Sequence, residues 1–176
     1  MDLKKAFKKS PTRDYILWGV IIILGILIDQ GTKWLAVEFL KPVSEIPIIE
    51  GVLHLKFHLN DGAAFGSFSG KPYIFNTLSV IIIIFMSFYL FAGHTESRLG
   101  AISSAMIISG GLGNMIDRAL FGEVTDFIYF KLINFAIFNG ADSFVCVGAG
   151  LLMFSMIRDL IKEERKRKGK NGSDGN

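Results

Sequence analysis

One cysteine in 176 residues, Cys146, leaves the chain without an internal disulfide and without a thiolate cluster for a metal. Three histidines, His54, His58 and His94, stand in no HExxH arrangement, so zinc-protease chemistry has no ligand set. No GxSxG elbow occurs, and Ser103, Ser104 and Ser109 have no histidine on a neighbouring outer segment to act as base. No glycine-rich loop follows a strand to open a helix, which removes the usual signal for a nucleotide. Charge is scarce as well: Asp, Glu, Lys and Arg make up 20% of the residues against 51% hydrophobic, with a mean hydropathy of +0.44. That is too little charge for the surface of an ordinary soluble domain and too much apolar surface for a disordered chain. It suits a protein whose outside faces lipid.

Four apolar stretches approach the roughly 20 residues a helix needs to cross a bilayer. They run over about 15–40, 73–92, 99–118 and 139–161. The first has a basic start like a secretory signal, but it is long and no small-x-small cleavage site follows, so it reads as a retained span. Basic residues set the orientation. Lys4, Lys5, Lys8, Lys9 and Arg13 precede the first span, and seven more lie between Arg158 and Lys170, so both termini are expected in the cytoplasm. The longer connections, Lys41–Pro72 and Ala119–Phe138, then face the other side. The expectation is one membrane-embedded domain over 1–161 and a solvated basic tail over 162–176, disordered beyond Gly169. Its charge reads as retention of positive residues inside, not as a nucleic-acid site.

The first outer connection carries a strand pattern. Leu53, Leu55, Phe57 and Leu59 alternate with His54, Lys56, His58 and Asn60, the period of a half-buried strand. Asn60-Asp61-Gly62 then signals a turn. A small sheet on the membrane surface, over about 42–70, is predicted, with His54 and His58 on its polar face read as solvated or interfacial and not as ligands.

An ionisable side chain near the bilayer centre costs about 2.5–3.5 kcal/mol at least, so each one asks for a reason. Asp29 and Lys33 are four apart and share a helix face, which suits an ion pair at the outer end of the first span. The third span ends in Gly113-Asn114-Met115-Ile116-Asp117-Arg118, where Asn114, Asp117 and Arg118 form a polar patch. A helix-end network tying the bundle together explains Asp117. Asp126 lies in apolar surroundings just past that span, and Asp142 in the first turn of the fourth, three residues after Asn139. The fifteen residues between the two aspartates are ample to fold back and bring them together. Two close carboxylates share a proton, so one can take a proton from water while the other donates to a scissile amide. Capping of the fourth helix by Asp142 explains that residue nearly as well. Cys146 reads as a small packing residue.

In these residues the chain closely resembles the bacterial lipoprotein signal peptidases, or signal peptidase II. Asp29-Gln30-x-x-Lys33 resembles the family's first motif, and Asn60-Asp61-Gly62-Ala63-Ala64-Phe65-Gly66 its NxGAAFG segment. Gly113-Asn114-x-x-Asp117-Arg118 with Gly122-x-Val124-x-Asp126-Phe127, and then Phe138-Asn139-x-Ala141-Asp142, resemble its remaining two blocks in order. Ser109-Gly110-Gly111 departs from the two glycines and alanine usual there.

The resemblance implies a bundle of four transmembrane helices with a small extracytoplasmic β-cradle, working as an intramembrane aspartic endopeptidase. Such an enzyme removes the signal peptide from diacylglyceryl-modified prolipoproteins, cutting just before the lipobox cysteine. It implies a catalytic pair at Asp126 and Asp142 and no metal or other cofactor. Asn60, Asn114, Arg118 and Asn139 match polar residues around the pair or against substrate and the cyclic peptide inhibitor globomycin, with Asp29, Lys33 and Asp117 in support. The bacterial inner membrane is the implied location, with the site near the outer face, and a monomer is the default state. The alternative is a small proton-coupled carrier, whose carboxylates would sit near the bilayer midplane.

Overall fold

The structure is a computed structural model of the chain that describes residues 12–61, 72–91 and 97–173. Helix α1 (Thr12–Leu35) passes into a π-helical turn, Ala36–Leu40, and then into strands β1 (Glu45–Ile49) and β2 (Leu53–Asn60). Helices α2 (Pro72–Phe91) and α3 (Arg98–Phe121) follow, then β3 (Val124–Phe130), a short 3-10 turn at Lys131–Ile133 and the long helix α4 (Gly140–Ser173). The basic residues expected at 4–9, the Ala63–Gly66 motif residues and the short turn at 93–96 lie outside the described residues.

The four helices fall where the four apolar stretches predict. Among the described residues, three are long and apolar enough to cross a membrane: α1 with its π turn (Asp14–Leu40), α3, and α4 over Gly140–Arg165. The apolar run of α2, Asn76–Phe91, is shorter. Helix α3 is the centre and packs on α1, α2 and α4. Its Ala101, Ala105, Ile107 and Ile108 are buried, and its Gly and Ser residues let neighbouring backbones approach, the usual route to tight packing where lipid supplies no hydrophobic drive. Trp18 of α1 and Leu90 of α2 close one core cluster against α3. The outward faces stay apolar: Leu24, Leu27 and Ile28 on α1, Ile84 and Phe85 on α2, Phe154 and Ile157 on α4 are all exposed. Contiguous apolar surface of this extent is what lipid contact demands.

The three strands form one antiparallel sheet in the order β1-β2-β3. Two strands come from the predicted 42–70 segment, and the third is supplied by Val124–Phe130, beyond α3. Gly122 makes that return possible. It ends α3 with φ +81°, its N–H bonded to the Arg118 carbonyl, a left-handed cap that glycine adopts without strain. The β2–β3 register sets His58 opposite Asp126 and Asn60 opposite Val124.

Two expectations are corrected. His54 is buried, not solvated: its Nδ1 lies 2.6 Å from Glu45 Oε1 and its Nε2 accepts from the Gly51 N–H at 3.2 Å. The partner is Glu45 on β1, which pulls the imidazole inward, while His58 is exposed as predicted. The segment 162–173 continues α4 as helix where disorder is expected beyond Gly169, while its described side chains at 162–165 and 168 are exposed. Lys, Glu and Arg are strong helix formers, and Glu164–Lys168 form an i,i+4 pair at 2.8 Å.

Candidate active site

The N-terminus of α4 is built by two side chains that cap each other. Asn139 Oδ1 accepts the Asp142 N–H at 3.0 Å, and Asp142 Oδ2 accepts the Asn139 N–H at 3.1 Å. This is the reciprocal logic of a capping box, so the capping reading of Asp142 holds. It leaves Asp142 Oδ1 free for other work, and that oxygen accepts from Asn114 Nδ2 at 2.8 Å.

Because a backbone N–H can only donate, the cap fixes which end of the Asn139 amide is oxygen. Its Nδ2 must then point the other way, where it donates to Asp126 Oδ1 at 2.6 Å and to Asn114 Oδ1 at 3.1 Å. The second Asp126 oxygen accepts from Asn60 Nδ2 at 2.8 Å. Asn139, completely buried, thus bonds to both aspartates and joins β3 to α4. The fold-back between Asp126 and Asp142 is held by Phe138, whose carbonyl accepts from the N–H groups of Phe127 and Ile128.

Burial pushes the Asp126 carboxyl up to about 7, and the charge of Asp142 adds to the rise. The hydrogen bonds from Asn60 and Asn139 and the charge of Lys33 oppose it. A raised carboxyl favours folding while protonated, and that advantage is lost as pH climbs from about 4 through about 7. Each tenfold difference in proton affinity between folded and unfolded chain is worth about 1.4 kcal/mol, with the coupling to Asp142 spreading it over both carboxyls. The protein should therefore melt at a lower temperature at pH 8 than at pH 5, and in Asp126→Asn this dependence should flatten. Thermal melts in detergent across that range measure it.

A second layer holds the first. Lys33 Nζ lies 2.8 Å from Asp29 Oδ2 and 3.1 Å from Asp117 Oδ2, all three side chains being buried. Asp29 Oδ1 accepts the N–H of Ala141, the residue before Asp142, at 2.8 Å. Asp117 Oδ2 accepts the N–H of Thr125, the residue before Asp126, at 3.2 Å. Each supporting carboxylate therefore pins the backbone next to one candidate catalytic aspartate. Gln30 completes the layer by donating to Asp117 Oδ1 at 2.8 Å and to the Gly113 carbonyl at 3.2 Å. Gly113 has to be glycine, since a Cβ there would overlap the Asp29 carboxylate.

A cavity of about 220 Å³ leads to Asp142 between α2, α3 and α4, lined by Leu78, Ile82, Gly111, Asn114, Arg118 and Cys146 among others. Arg118 faces it, and its buried Nε has no hydrogen-bond partner among the described residues. Cys146 is exposed at this cavity and is not the packing residue its apolar run suggests. No described group of three or more His, Cys, Asp or Glu is placed to hold a metal ion. The structure thus gathers Asn60, Asn114, Asn139, Asp126 and Asp142 into one network, with Asp29, Lys33 and Asp117 behind it and Arg118 at its mouth. Gln30 enters the sequence analysis only as part of the first motif and is given no role there; the structure supplies one, as the amide that ties Asp117 and Gly113 to α1.

Residues 21–158 match the family described as Signal peptidase (SPase) II. A lipoprotein signal peptidase of Halalkalibacterium halodurans is 40% identical over 154 residues, covering 86% of this chain and 99% of that one. A lipoprotein signal peptidase of Bacillus subtilis is 36% identical over 154 residues, covering 86% of this chain and 100% of the relative. Among solved structures, a bacterial membrane enzyme determined by the in meso method at 2.3 Å is similar with a TM-score of 0.76 and 30% identity. That alignment covers 88% of this chain and 93% of the other.

Proposed function

The chain belongs to the signal peptidase II family of membrane peptidases, and from that premise we propose that it cleaves prolipoproteins just before the diacylglyceryl-bearing lipobox cysteine, using Asp126 and Asp142 to activate water. The observation that carries the reading is Asn139, whose side-chain Nδ2 donates to the Asp126 carboxylate while its backbone N–H donates to the Asp142 carboxylate, with burial pushing the Asp126 carboxyl up to about 7. A pair in that state keeps one proton at neutral pH, which is what acid and base in one step require. The ionised member takes a proton from water as its oxygen attacks the scissile carbonyl carbon. The protonated member supplies the proton that the leaving amide nitrogen takes when the C–N bond breaks. No covalent intermediate forms.

The positions of the aspartates support peptidase chemistry over a proton-coupled carrier. Asp142 sits in the first turn of its helix and Asp126 on the strand that follows α3, so on this reading both lie where the apolar helices end and not midway along them. On this reading α2 is the fourth span, residues 1–161 make one embedded domain in the inner membrane, and both termini are cytoplasmic. The cavity between α2 and α4 then opens sideways to lipid, so the substrate's helix and acyl chains reach Asp142 without leaving the bilayer. Arg118 and Asn60 hold its peptide, globomycin competes for the same place, and a single copy suffices.

The test is a cleavage assay in detergent or liposomes on a diacylglyceryl-modified prolipoprotein, with and without globomycin. The expected product begins at the lipid-bearing cysteine, and globomycin suppresses it. Folded wild-type protein that leaves this substrate intact would overturn the assignment.

A further inference from the structure

Lys33 is 4% exposed and does not line the cavity that leads to Asp142. A buried ammonium is costly unless paired, and this one has three partners with a pattern. Its two carboxylate partners, Asp29 and Asp117, each end on the backbone N–H immediately before a dyad member. Its third bond, 2.9 Å to Asn114 Oδ1, forces the Asn114 oxygen toward the charge and the Asn114 Nδ2 toward Asp142. That same oxygen is where Asn139 Nδ2 donates on its way to Asp126. One cation therefore meets both aspartates by two routes, backbone pins and polarised amides.

Resting on the peptidase reading above, we propose that Lys33 is a positioning residue for the whole dyad, clasping the two backbone pins and orienting the Asn114 amide so that the pair keeps its spacing and its field. It touches no reacting atom. An ammonium donating to an amide oxygen strengthens that amide's own N–H donation, so the effect on Asp142 passes through a charge-assisted chain. Among the described residues the titratable and charged groups around the centre are Asp29 on α1, Asp117 and Arg118 on α3, Asp126 on β3 with His58 opposite it on β2, and Asp142 on α4.

A clasp that only added stability would change the amount of folded enzyme and leave its pH profile in place. A charged positioning residue moves the profile. Loss of the positive charge makes both dyad protons harder to lose, so Lys33→Met should shift the bell-shaped kcat profile to higher pH by about one unit, with KM nearly unchanged. Lys33→Arg keeps the charge and should keep the position of the bell while lowering its height, because a planar fork cannot reproduce a three-way ammonium. Asp117→Asn and Asp29→Asn remove negative charge and should shift the bell to lower pH.

All four variants are assayed beside the wild type on the diacylglyceryl-modified prolipoprotein, which separates the two ideas: wild-type cleavage is the premise, and the profiles are the test. If Lys33→Met does not fold, the downward shift of the two Asn variants against Lys33→Arg still decides. Profiles that superimpose on wild type, or Met and Asn variants that move the same way, overturn the proposal.

Discussion

Asp126→Asn and Asp142→Asn should each reduce cleavage of the modified prolipoprotein on the order of 10³-fold or more, the scale of losing a general acid or base. The two variants should differ in stability, and the hydrogen-bond geometry says in which direction. Asp126 accepts from Asn139 Nδ2 and from Asn60 Nδ2. An asparagine there can keep its oxygen toward the fixed Asn139 amide and set its Nδ2 against Asn60, which is only half-buried, so that a mismatched donor costs less there than inside the bundle. The change also removes a carboxyl that burial disfavours in its charged form. Asp126→Asn should therefore melt at or above the wild-type temperature at pH 8.

Asp142 has no such margin. Its Oδ2 faces the Asn139 N–H, so an asparagine must keep oxygen there and set its Nδ2 against Asn114 Nδ2. Asn114 could answer only by turning its own Nδ2 toward Lys33, which is also a donor. One buried donor is left unmatched, at a cost of about 1–3 kcal/mol. Asp142→Asn should melt below Asp126→Asn, with both folded in detergent at low temperature. Melting curves and initial cleavage rates on the same samples read both halves. Full activity in either variant would remove that aspartate from the reaction.

How much of this is readable without the structure depends on how far apart the partners lie. Asp29 and Lys33 are one helical turn apart, so their ion pair follows from spacing alone, and it forms at 2.8 Å. The further contacts of Lys33 with Asp117 and Asn114 join α1 to α3, and no periodicity in either segment reports them. Strand β2 announces itself by alternation. Strand β3 does not, because Val124, Thr125 and Asp126 are all buried and the two-residue rhythm is absent where it matters. Strand β1 is masked by Pro47, which a sheet tolerates only at an edge such as this one. With β1 unseen, His54 has no visible partner, so it reads as solvated. The aspartate pair is legible as two carboxylates at span ends, and family motifs name them, but the bonds of Asn139 to both are a fact of three dimensions.

Those bonds make Asn139 the third residue whose loss should be felt most. Asn139→Ala removes a helix cap worth about 1 kcal/mol, a donor to Asp126 and a donor to Asn114 together. Without its hydrogen bond the ionised form of Asp126 is less favoured, so its carboxyl rises beyond the value near 7 set with Asn139 in place. The expected result is cleavage reduced on the order of 10²-fold, about 2.7 kcal/mol of barrier, with the pH optimum moved upward. Asn139→Asp separates the cap from the bridge. Aspartate caps a helix as well as asparagine does, so it restores that end of α4, yet it presents a carboxylate to Asp126 where an N–H belongs. If the amide bridge is what matters, Asn139→Asp should be as poor a peptidase as Asn139→Ala while melting closer to wild type at low pH, where the added carboxyl is neutral. Recovery of cleavage in Asn139→Asp at neutral pH would instead mean that α4 only needs its first turn capped, and that the two aspartates work without the Asn139 side-chain amide.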